Sequence, residues 1–264
     1  PVTSVSNLES YGVLSDLPTI SGEQERAEML ELFARIYAPA IGTGPVMDYL
    51  GQTGRDVLKG ADILKTAVAK YSSTVEYADT PIAKSLKGVA QVYLTDLGTQ
   101  MFYTQHGNFD SHFNQLPMHS KLWVDGSRAI SDFFADLEEH NAGDNLVMML
   151  FTEFGRRVRD NGTGCDHGAA GAAFVIGNRV KGGMYSTYPS LKPEDLQQGA
   201  LAPNNDFRGF YSTFVDKWLG LQASNPQPGT LERVQALPEH EAFSWRNPNK
   251  VRALIGTFAR VNRA

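Results

Sequence analysis

The sequence predicts an α/β protein whose strands and helices alternate in the middle of the chain. Two short segments, GTQMFYT at 98–104 and the apolar run LVMMLFT at 146–152, suggest buried strands. Between them, apolar residues from Leu122 to Leu137 recur at helical spacing. This order predicts a βαβ unit with parallel strands and a right-handed crossover. The segments that follow the two strands should therefore meet at one sheet edge, where open α/β sheets bind ligands.

The first 96 residues are predicted to be mainly helical. Ser21 and Gln24 have the spacing of a capping box, and the apolar residues that follow, up to Tyr37, recur at helical spacing. A second helix is predicted over about 46–71, and no strand is predicted before residue 97. This part of the chain carries little obvious chemistry.

The elements after the βαβ unit are predicted from a short apolar stretch, a loop length and helix-capping residues. A third strand is predicted at 172–177, antiparallel to its neighbour, because the loop 155–171 is too short for a crossover helix. A last helix should begin at Asn204 or Asn205 and end at Gly220. We expect one α/β domain over 1–264, with a helical segment (1–96), a sheet-bearing core (97–220) and an irregular tail (221–264) in which a short helix can form at 249–260.

The composition excludes several classes of protein. The net charge of -5 argues against nucleic acid as a partner, since phosphate backbones favour a basic face. The single cysteine, Cys165, excludes an internal disulfide framework. No apolar run approaches the roughly 18 residues of a membrane span, and the first residues lack the pattern of a signal peptide.

The first candidate cluster follows the first strand. Asp110 and His112, with His106 and Gln115 nearby, lie on the loop that leaves the strand. A carboxylate and an imidazole two positions apart suit a zinc, iron or manganese ion. The alternative is a loop in which Asp110 caps the next helix and His112 is merely exposed.

Two further clusters follow the second strand. Glu153 lies at its end, where it could bind a metal while Arg156 or Arg157 holds an anion, or could simply pair with either arginine. Asp166 and His167 lie between glycines, and Asp166 could ligate directly or orient His167. Because all three clusters should share one sheet edge, the predicted metal ligands are Asp110, His112, Glu153, Asp166 and His167.

The remaining polar residues have simpler interpretations. His119 and His140 are expected to be solvated on a helix surface, and Asp206 to serve the N-terminus of the last helix. Arg208 could still reach the site. Cys165 is not favoured as a nucleophile because the neighbouring carboxylate opposes its ionisation. No serine or threonine of the three clusters has an adjacent base, so the sequence identifies no nucleophile.

Four stretches of the chain carry a family resemblance: GNFDSHFNQ, TEFGRRVRDNGTGCDHG, the GG of VKGGMY, and NDFRGFYSTFVDKWLG. Together they resemble the bacterial family called domain of unknown function 1501, over residues 88 to 220. The usual family pattern has threonine at the positions of Ser111 and Cys165, and both differences spare the candidate ligands.

That family is similar to the alkaline phosphatase and sulfatase superfamily. The resemblance implies an alkaline-phosphatase-like central, mostly parallel sheet flanked by helices, here lacking the N-terminal part of the sheet. It implies one metal held by Asp110, His112 and His167. The superfamily's second Asp-His pair would fall at Glu153 and Phe154 or, in another alignment, at Asp166 and His167.

The expected function follows from this resemblance. It is a metal-dependent hydrolase of phosphate or sulfate esters, with a small anionic ester as substrate and a divalent metal, zinc first and calcium, magnesium or manganese as alternatives. Arg156 and Arg157 would bind the substrate. The alternatives are a non-catalytic binding or scaffold protein of the same fold and a truncated, inactive fragment. The resemblance also implies a periplasmic or exported protein.

Overall fold

The computed structural model describes residues 23–37, 42–220 and 252–257 as a mixture of helices and strands. The chain divides into two compact units, Pro1–Ser73 with Lys87–Leu97, and Thr74–Leu86 with Gly98–Ala264. The unit boundary at Leu97 coincides with the predicted start of the sheet-bearing core. The mixed helix-and-strand class is confirmed, whereas the single domain and the alkaline-phosphatase-like architecture stay predictions.

Helices dominate the first part of the chain, as the sequence predicts. Helix α1 spans Glu23–Tyr37, α2 spans Pro45–Lys70 and α3 spans Pro81–Leu94. The first two match the predicted helices within a few residues. The predicted cap residue Ser21 lies outside the described residues. In the described parts of the chain, no helix combines the length and apolar character that crossing a membrane requires.

A four-stranded sheet forms the centre of the second unit. Its strands are β1 (Met101–Gln105), β2 (Leu146–Phe151), β5 (Phe174–Ile176) and β6 (Arg252–Thr257), in the order β1-β6-β2-β5. Strand β6 pairs in parallel with both β1 and β2, and β5 pairs antiparallel with β2, as predicted for the third strand. The two strands of the βαβ unit therefore run in the same direction, with β6 inserted between them.

The helix predicted at 249–260 is wrong over 252–257, where the chain forms β6. Helical spacing is a local signal, whereas a strand between two others pairs its backbone along both neighbours. Such tertiary pairing overrides local propensity. The rest of the predicted tail, 221–251 and 258–264, lies outside the described residues.

The core of this unit is built on β2 and helix α4 (Gln115–Glu139). Residues 146–150 of β2 are at most 4% exposed, as expected for a strand covered on both faces. Val147 and Met149 pack with Phe214 and Trp218 from the last helix. Helix α4 buries a stripe at helical spacing, with Ala129, Phe133 and Leu137 at 0% exposure.

The charged face of α4 fixes the segment that precedes α3. The Thr74 hydroxyl donates to Glu139 (2.7 Å), the Tyr77 hydroxyl to buried Asp136 (2.7 Å), and the Ala78 amide to Asp132 (3.3 Å). His140 ends the helix, with its Nδ1 2.8 Å from the Asp136 carbonyl oxygen. The prediction that His140 is simply solvated is therefore wrong.

A β-hairpin replaces the loop predicted between the second and third strands. Strand β3 (Gly155–Asp160) pairs antiparallel with β4 (Cys165–Gly168), and Arg156 lies opposite His167. The turn contains Asn161 and Gly162, whose φ of 114° favours glycine. Four residues, Asn161 to Gly164, connect the two strands, a loop length that is common in hairpins.

The last helix begins later than predicted. Helix α5 spans Phe207–Thr213 and continues as a π-helical turn at Phe214–Trp218. Its N-cap is Asp206, which accepts a hydrogen bond from the Arg208 amide (2.8 Å). The predicted role of Asp206 at this helix terminus is confirmed, and the predicted start at Asn204 or Asn205 is corrected.

The pair of Asp206 and Arg208 gives a pH-dependent contribution to stability. Hydrogen bonds from Arg208 lower the pKa of Asp206 from 3.8 to about 2. A carboxyl with a depressed pKa stabilises the fold fully above its unfolded pKa, and this contribution disappears as the pH falls through the folded pKa. Urea denaturation should therefore show Asp206→Asn less stable than the wild type at pH 6, with the difference shrinking as the pH falls from about 4 towards 2. An equal difference at both pH values would contradict the pairing.

Candidate metal centre

Three side chains from two distant segments form a potential metal site. Asp110 and His112 lie on the loop after β1, and His167 lies on β4. Each offers one ligand atom, and these atoms all lie within 4.8 Å of one another. Asp110 Oδ1 is 2.8 Å from His167 Nε2 and 3.4 Å from His112 Nε2. The geometry thus brings together three of the five predicted ligands.

The loop orients these side chains by burying the residue between them. Ser111 is 7% exposed, and its hydroxyl oxygen lies 3.1 Å from His119 Nε2 on α4. The side-chain amide of Gln115 donates to the Ser111 carbonyl oxygen. With Ser111 held against α4, the flanking Asp110 and His112 are left partly exposed, at 29% and 48%.

His119 is a packed residue and not the solvated one that the sequence predicts. Burial lowers its pKa, as does the nearby charge of Arg156, while a hydrogen bond to the Phe109 backbone opposes both effects. Neutral imidazole is therefore favoured, which suits a hydrogen bond with Ser111. A base adjacent to Ser111 does exist, contrary to the prediction, because it comes from the facing helix.

An aromatic cluster anchors the start of the loop. The Phe109 ring, 6% exposed, makes edge contacts with His106, His119 and Trp123 at centroid distances of 5.4, 5.5 and 5.6 Å. His106 Nε2 lies 2.9 Å from the Leu122 carbonyl oxygen. His106 therefore attaches the loop to α4 and is not one of the potential ligands, the first of which is Asp110.

His167 is held by aromatic stacking as well as by Asp110. Its ring lies nearly parallel to Phe154, with centroids 3.7 Å apart and planes at 13°. The His112 ring stacks on it at 4.7 Å and 28°. These contacts restrict rotation of the imidazole while its Nε2 points to Asp110.

Asp166 lies beside the site and faces His112. Its Oδ1 is 3.6 Å from His112 Nδ1, the ring nitrogen that does not face Asp110. The Asn161 side-chain amide donates to Asp166 Oδ1 (3.4 Å) and to the His112 carbonyl oxygen (3.0 Å). A carboxylate on the far nitrogen of a metal-binding histidine typically orients the ring. Of the two predicted roles, the orienting one fits this position, with His112 as the residue oriented.

The cluster of Glu153, Arg156 and Arg157 supplies none of the three potential ligand atoms. Glu153 is exposed, and among the described residues it is not part of the group of three ligands. Arg156 donates to the carbonyl oxygens of Phe109 and Cys165, both at 2.7 Å. Arg157 is exposed on β3. Arg208 donates to Asp206 at the start of α5.

Gly164 and Gly168 allow protein segments to approach each other closely. A Cβ atom on Gly164 would lie 2.8 Å from the His112 carbonyl oxygen, and one on Gly168 would lie 2.5 Å from the Arg156 backbone. Between them, the Cys165 amide and thiol donate to Gln115 Oε1 at 2.9 and 3.1 Å. The glycines flanking the Asp-His pair therefore serve packing of the hairpin against the loop.

Sequence reasoning did not find the roles of Phe154, His119 and Gln115. Phe154 stacks on a ligand, while His119 and Gln115 hold the ligand loop. Gln115 and His119 lie one helical turn apart in sequence, near the start of the predicted helix. That spacing places them on one face and is the only local signal for their shared role.

The fold and the site together define a mixed helix-and-strand protein with a two-histidine, one-aspartate cluster formed by the loop after β1 and by β4. The chain belongs to the family described as protein of unknown function DUF1501, whose family model matches residues 65–224. The matched range contains all five predicted metal ligands. No solved structure matches the chain.

A different similarity concerns the end of the chain. A family model described as domain of unknown function (DUF3458_C) ARM repeats matches residues 207–264. Among curated proteins, the chain is 50% identical over 50 residues to aminopeptidase N of Caulobacter vibrioides, and 48% identical over 50 residues to that of Escherichia coli. Each match covers 19% of this chain and 6% of the relative.

The segment 252–257 lies within the range that the ARM-repeat model matches. Armadillo-type repeats are built from helices. In this structure, the same residues form β6 within the sheet. The pairing with β1 and β2 thus gives this segment a conformation that neither its spacing nor its family match indicates.

Proposed function

We propose that the protein is a metal-dependent hydrolase of phosphate or sulfate esters, with its metal held by Asp110, His112 and His167. The observation that carries the proposal is the convergence of one carboxylate oxygen and two imidazole nitrogens within 4.8 Å. Family membership supports it through the resemblance of that family to alkaline phosphatases and sulfatases.

The donor set narrows the choice of metal. Two imidazoles and one carboxylate suit zinc, manganese or iron, whereas calcium and magnesium prefer sites made of oxygen ligands. Three protein ligands also leave a coordination position open, as catalytic zinc sites do. We therefore propose zinc first, with manganese ahead of calcium and magnesium.

The proposed metal site would bind the ester. A bound divalent ion would supply a Lewis acid for an ester oxygen. The ligands are partly exposed, His167 at 39%, so a small substrate has access. The bound ion would also hold the anionic group, because Arg156 donates to two backbone carbonyl oxygens and the Arg157 guanidinium lies on the side of Gly199.

Water, and not a side-chain hydroxyl, is the proposed attacking group. Ser111 is the hydroxyl closest in sequence to the ligands, but it is buried and its oxygen faces His119 on α4. Its neighbours Asp110 and His112 are considerably more exposed. Ser111 therefore supports the loop, and the proposed reaction has no covalent intermediate on it.

A non-catalytic binding protein of the same fold is the second candidate. The stacking of Phe154 on His167 favours it, because an apolar ring covers one face of a ligand where an active site would gain from a polar group. Such a protein would bind the metal and an anion without turnover.

Turnover of 4-nitrophenyl phosphate and 4-nitrophenyl sulfate by the zinc-loaded protein separates the two functions. We expect hydrolysis of one ester, reduced more than about 100-fold in Asp110→Asn, because even residues that only orient metal ligands change activity by 10–100-fold. Asp79→Asn is the matched control, since this carboxylate is exposed and pairs with Lys84. Metal binding without turnover would reject the hydrolase and support the non-catalytic binding protein. Turnover that Asp110→Asn does not change would reject this site as the active site.

A further inference from the structure

Arg156 connects the two segments that carry the candidate ligands. We propose that it is the positioning residue of the metal centre, which holds the 109–112 loop and β4 at the separation that metal binding requires. The inference rests on the proposed metal site and assigns Arg156 a role other than substrate binding.

The hydrogen bonds of Arg156 reach both segments. Nη2 donates to the carbonyl oxygen of Phe109, the residue before Asp110, and Nη1 donates to that of Cys165, two residues before His167; both distances are 2.7 Å. A guanidinium is planar and rigid, so two bonds from its two terminal nitrogens fix the distance between their acceptors. Hydrogen bonds from a charged donor are also stronger than neutral ones.

The position of Arg156 in the hairpin adds a second link to His167. Arg156 is the cross-strand partner of His167 in the β3–β4 register. Directly opposite residues of an antiparallel pair project from the same face. The guanidinium carbon lies 5.1 Å from the centroid of Phe154, whose ring stacks on His167. Arg156 thus restrains the backbone near the ligand and also the aromatic ring that holds its imidazole.

Gln115 ties the same two segments from α4. Its Oε1 accepts from the Cys165 amide (2.9 Å), and its side-chain amide donates to the Ser111 carbonyl oxygen. The hairpin also retains its own ladder. Loss of the Arg156 bonds alone should therefore leave the fold in place while the ligand segments gain freedom.

These contacts distinguish positioning from substrate binding. Both terminal nitrogens of Arg156 are bound to backbone oxygens of the protein, at distances typical of strong hydrogen bonds. Two of its five N–H donors, one on each terminal nitrogen, are thus committed to the protein backbone. The contacts of Arg156 therefore favour positioning over the role predicted from sequence, which was to hold the substrate.

Cobalt titration of the metal-free protein tests the proposal. Co²⁺ reports its ligand geometry through its visible absorption, which a purely structural residue would not alter in a folded protein. Arg156→Met should weaken Co²⁺ binding about 10- to 100-fold, the usual effect of losing a residue that orients ligands, and should change the spectrum. Arg156→Lys keeps the charge but can reach only one carbonyl group. Its Co²⁺ affinity should therefore lie between those of the wild type and Arg156→Met. The control is Arg159→Met, an exposed arginine on the same strand.

Circular dichroism of the metal-free variants shows whether they fold. Wild-type affinity and spectrum in folded Arg156→Met would overturn the proposal and leave the metal site standing. If Arg156→Met does not fold, Arg156→Lys decides by the same criteria. If neither folds, Arg156 serves the fold and the positioning role is rejected. Absence of Co²⁺ binding in the wild type would instead reject the proposed function, and this inference with it.

Discussion

Purified His167→Ala is expected to contain almost no zinc, whereas the wild type should contain about one ion per chain after zinc loading and dialysis, as a single three-ligand site would hold. His167 supplies one of three ligand atoms and comes from a different segment than the other two. Its removal leaves only two ligands, Asp110 and His112, both on the loop after β1. The loss of affinity should exceed about 100-fold, beyond the effect of changing residues that merely orient ligands.

Elemental analysis and competitive zinc titration measure this effect. Asp166→Asn provides a graded comparison. Asp166 faces Nδ1 of His112, so this substitution should weaken zinc binding by about 10–100-fold without abolishing it. Asp79→Asn should bind zinc as the wild type does. Equal, near-zero metal in the wild type and in His167→Ala would refute the metal centre, and so would equal, full occupancy in both.

Trp218→Ala should cause the largest loss of stability among the substitutions considered. Trp218 is 1% exposed and packs in the cluster with Val147, Met149 and Phe214, which joins the last helical segment to β2. Removing a fully buried large aromatic side chain costs about 3–5 kcal/mol, from lost apolar burial and from the cavity that remains. Urea denaturation should show this loss as a lower midpoint with a similar slope.

Phe207→Ala is the matched control for Trp218. Phe207 is an aromatic residue at the start of the same helical segment, but it is 69% exposed. Its removal should change the free energy of unfolding by no more than about 0.5 kcal/mol, as is usual for surface positions. Similar effects of the two substitutions would mean that the last helix does not pack on the sheet in solution.

The sequence determined the main elements of the site region. Apolar runs and helical spacing are local, so β1, α4, β2 and β5 could be read in order. The rule that strands of a βαβ unit share an edge then placed Asp110 and His112 near the end of β2. It also led to the expectation that His167 joins them, and its Nε2 does lie 2.8 Å from Asp110 across 57 residues of sequence.

The sequence alone did not assign the neighbours of these ligands. Asp166 and His167 are adjacent in sequence and both contact His112, yet only His167 belongs to the group of three potential ligands. His119 has the spacing of a surface residue on α4, but the loop covers it and gives it Ser111 as a partner. Such contacts depend on which segments pack together in the folded chain, and the spacing of residues along the sequence does not predict this.

The sequence by itself predicted five candidate metal ligands and their proximity, and three of them, Asp110, His112 and His167, lie together in the structure. Only the tertiary structure decided how they are held: Arg156 bonds to both ligand segments instead of binding an anion or pairing with Glu153, and 252–257 forms a strand instead of a helix. The physical reason is the same in both cases. A guanidinium and a strand backbone each carry several hydrogen-bonding groups, and distant segments of the folded chain supply the partners.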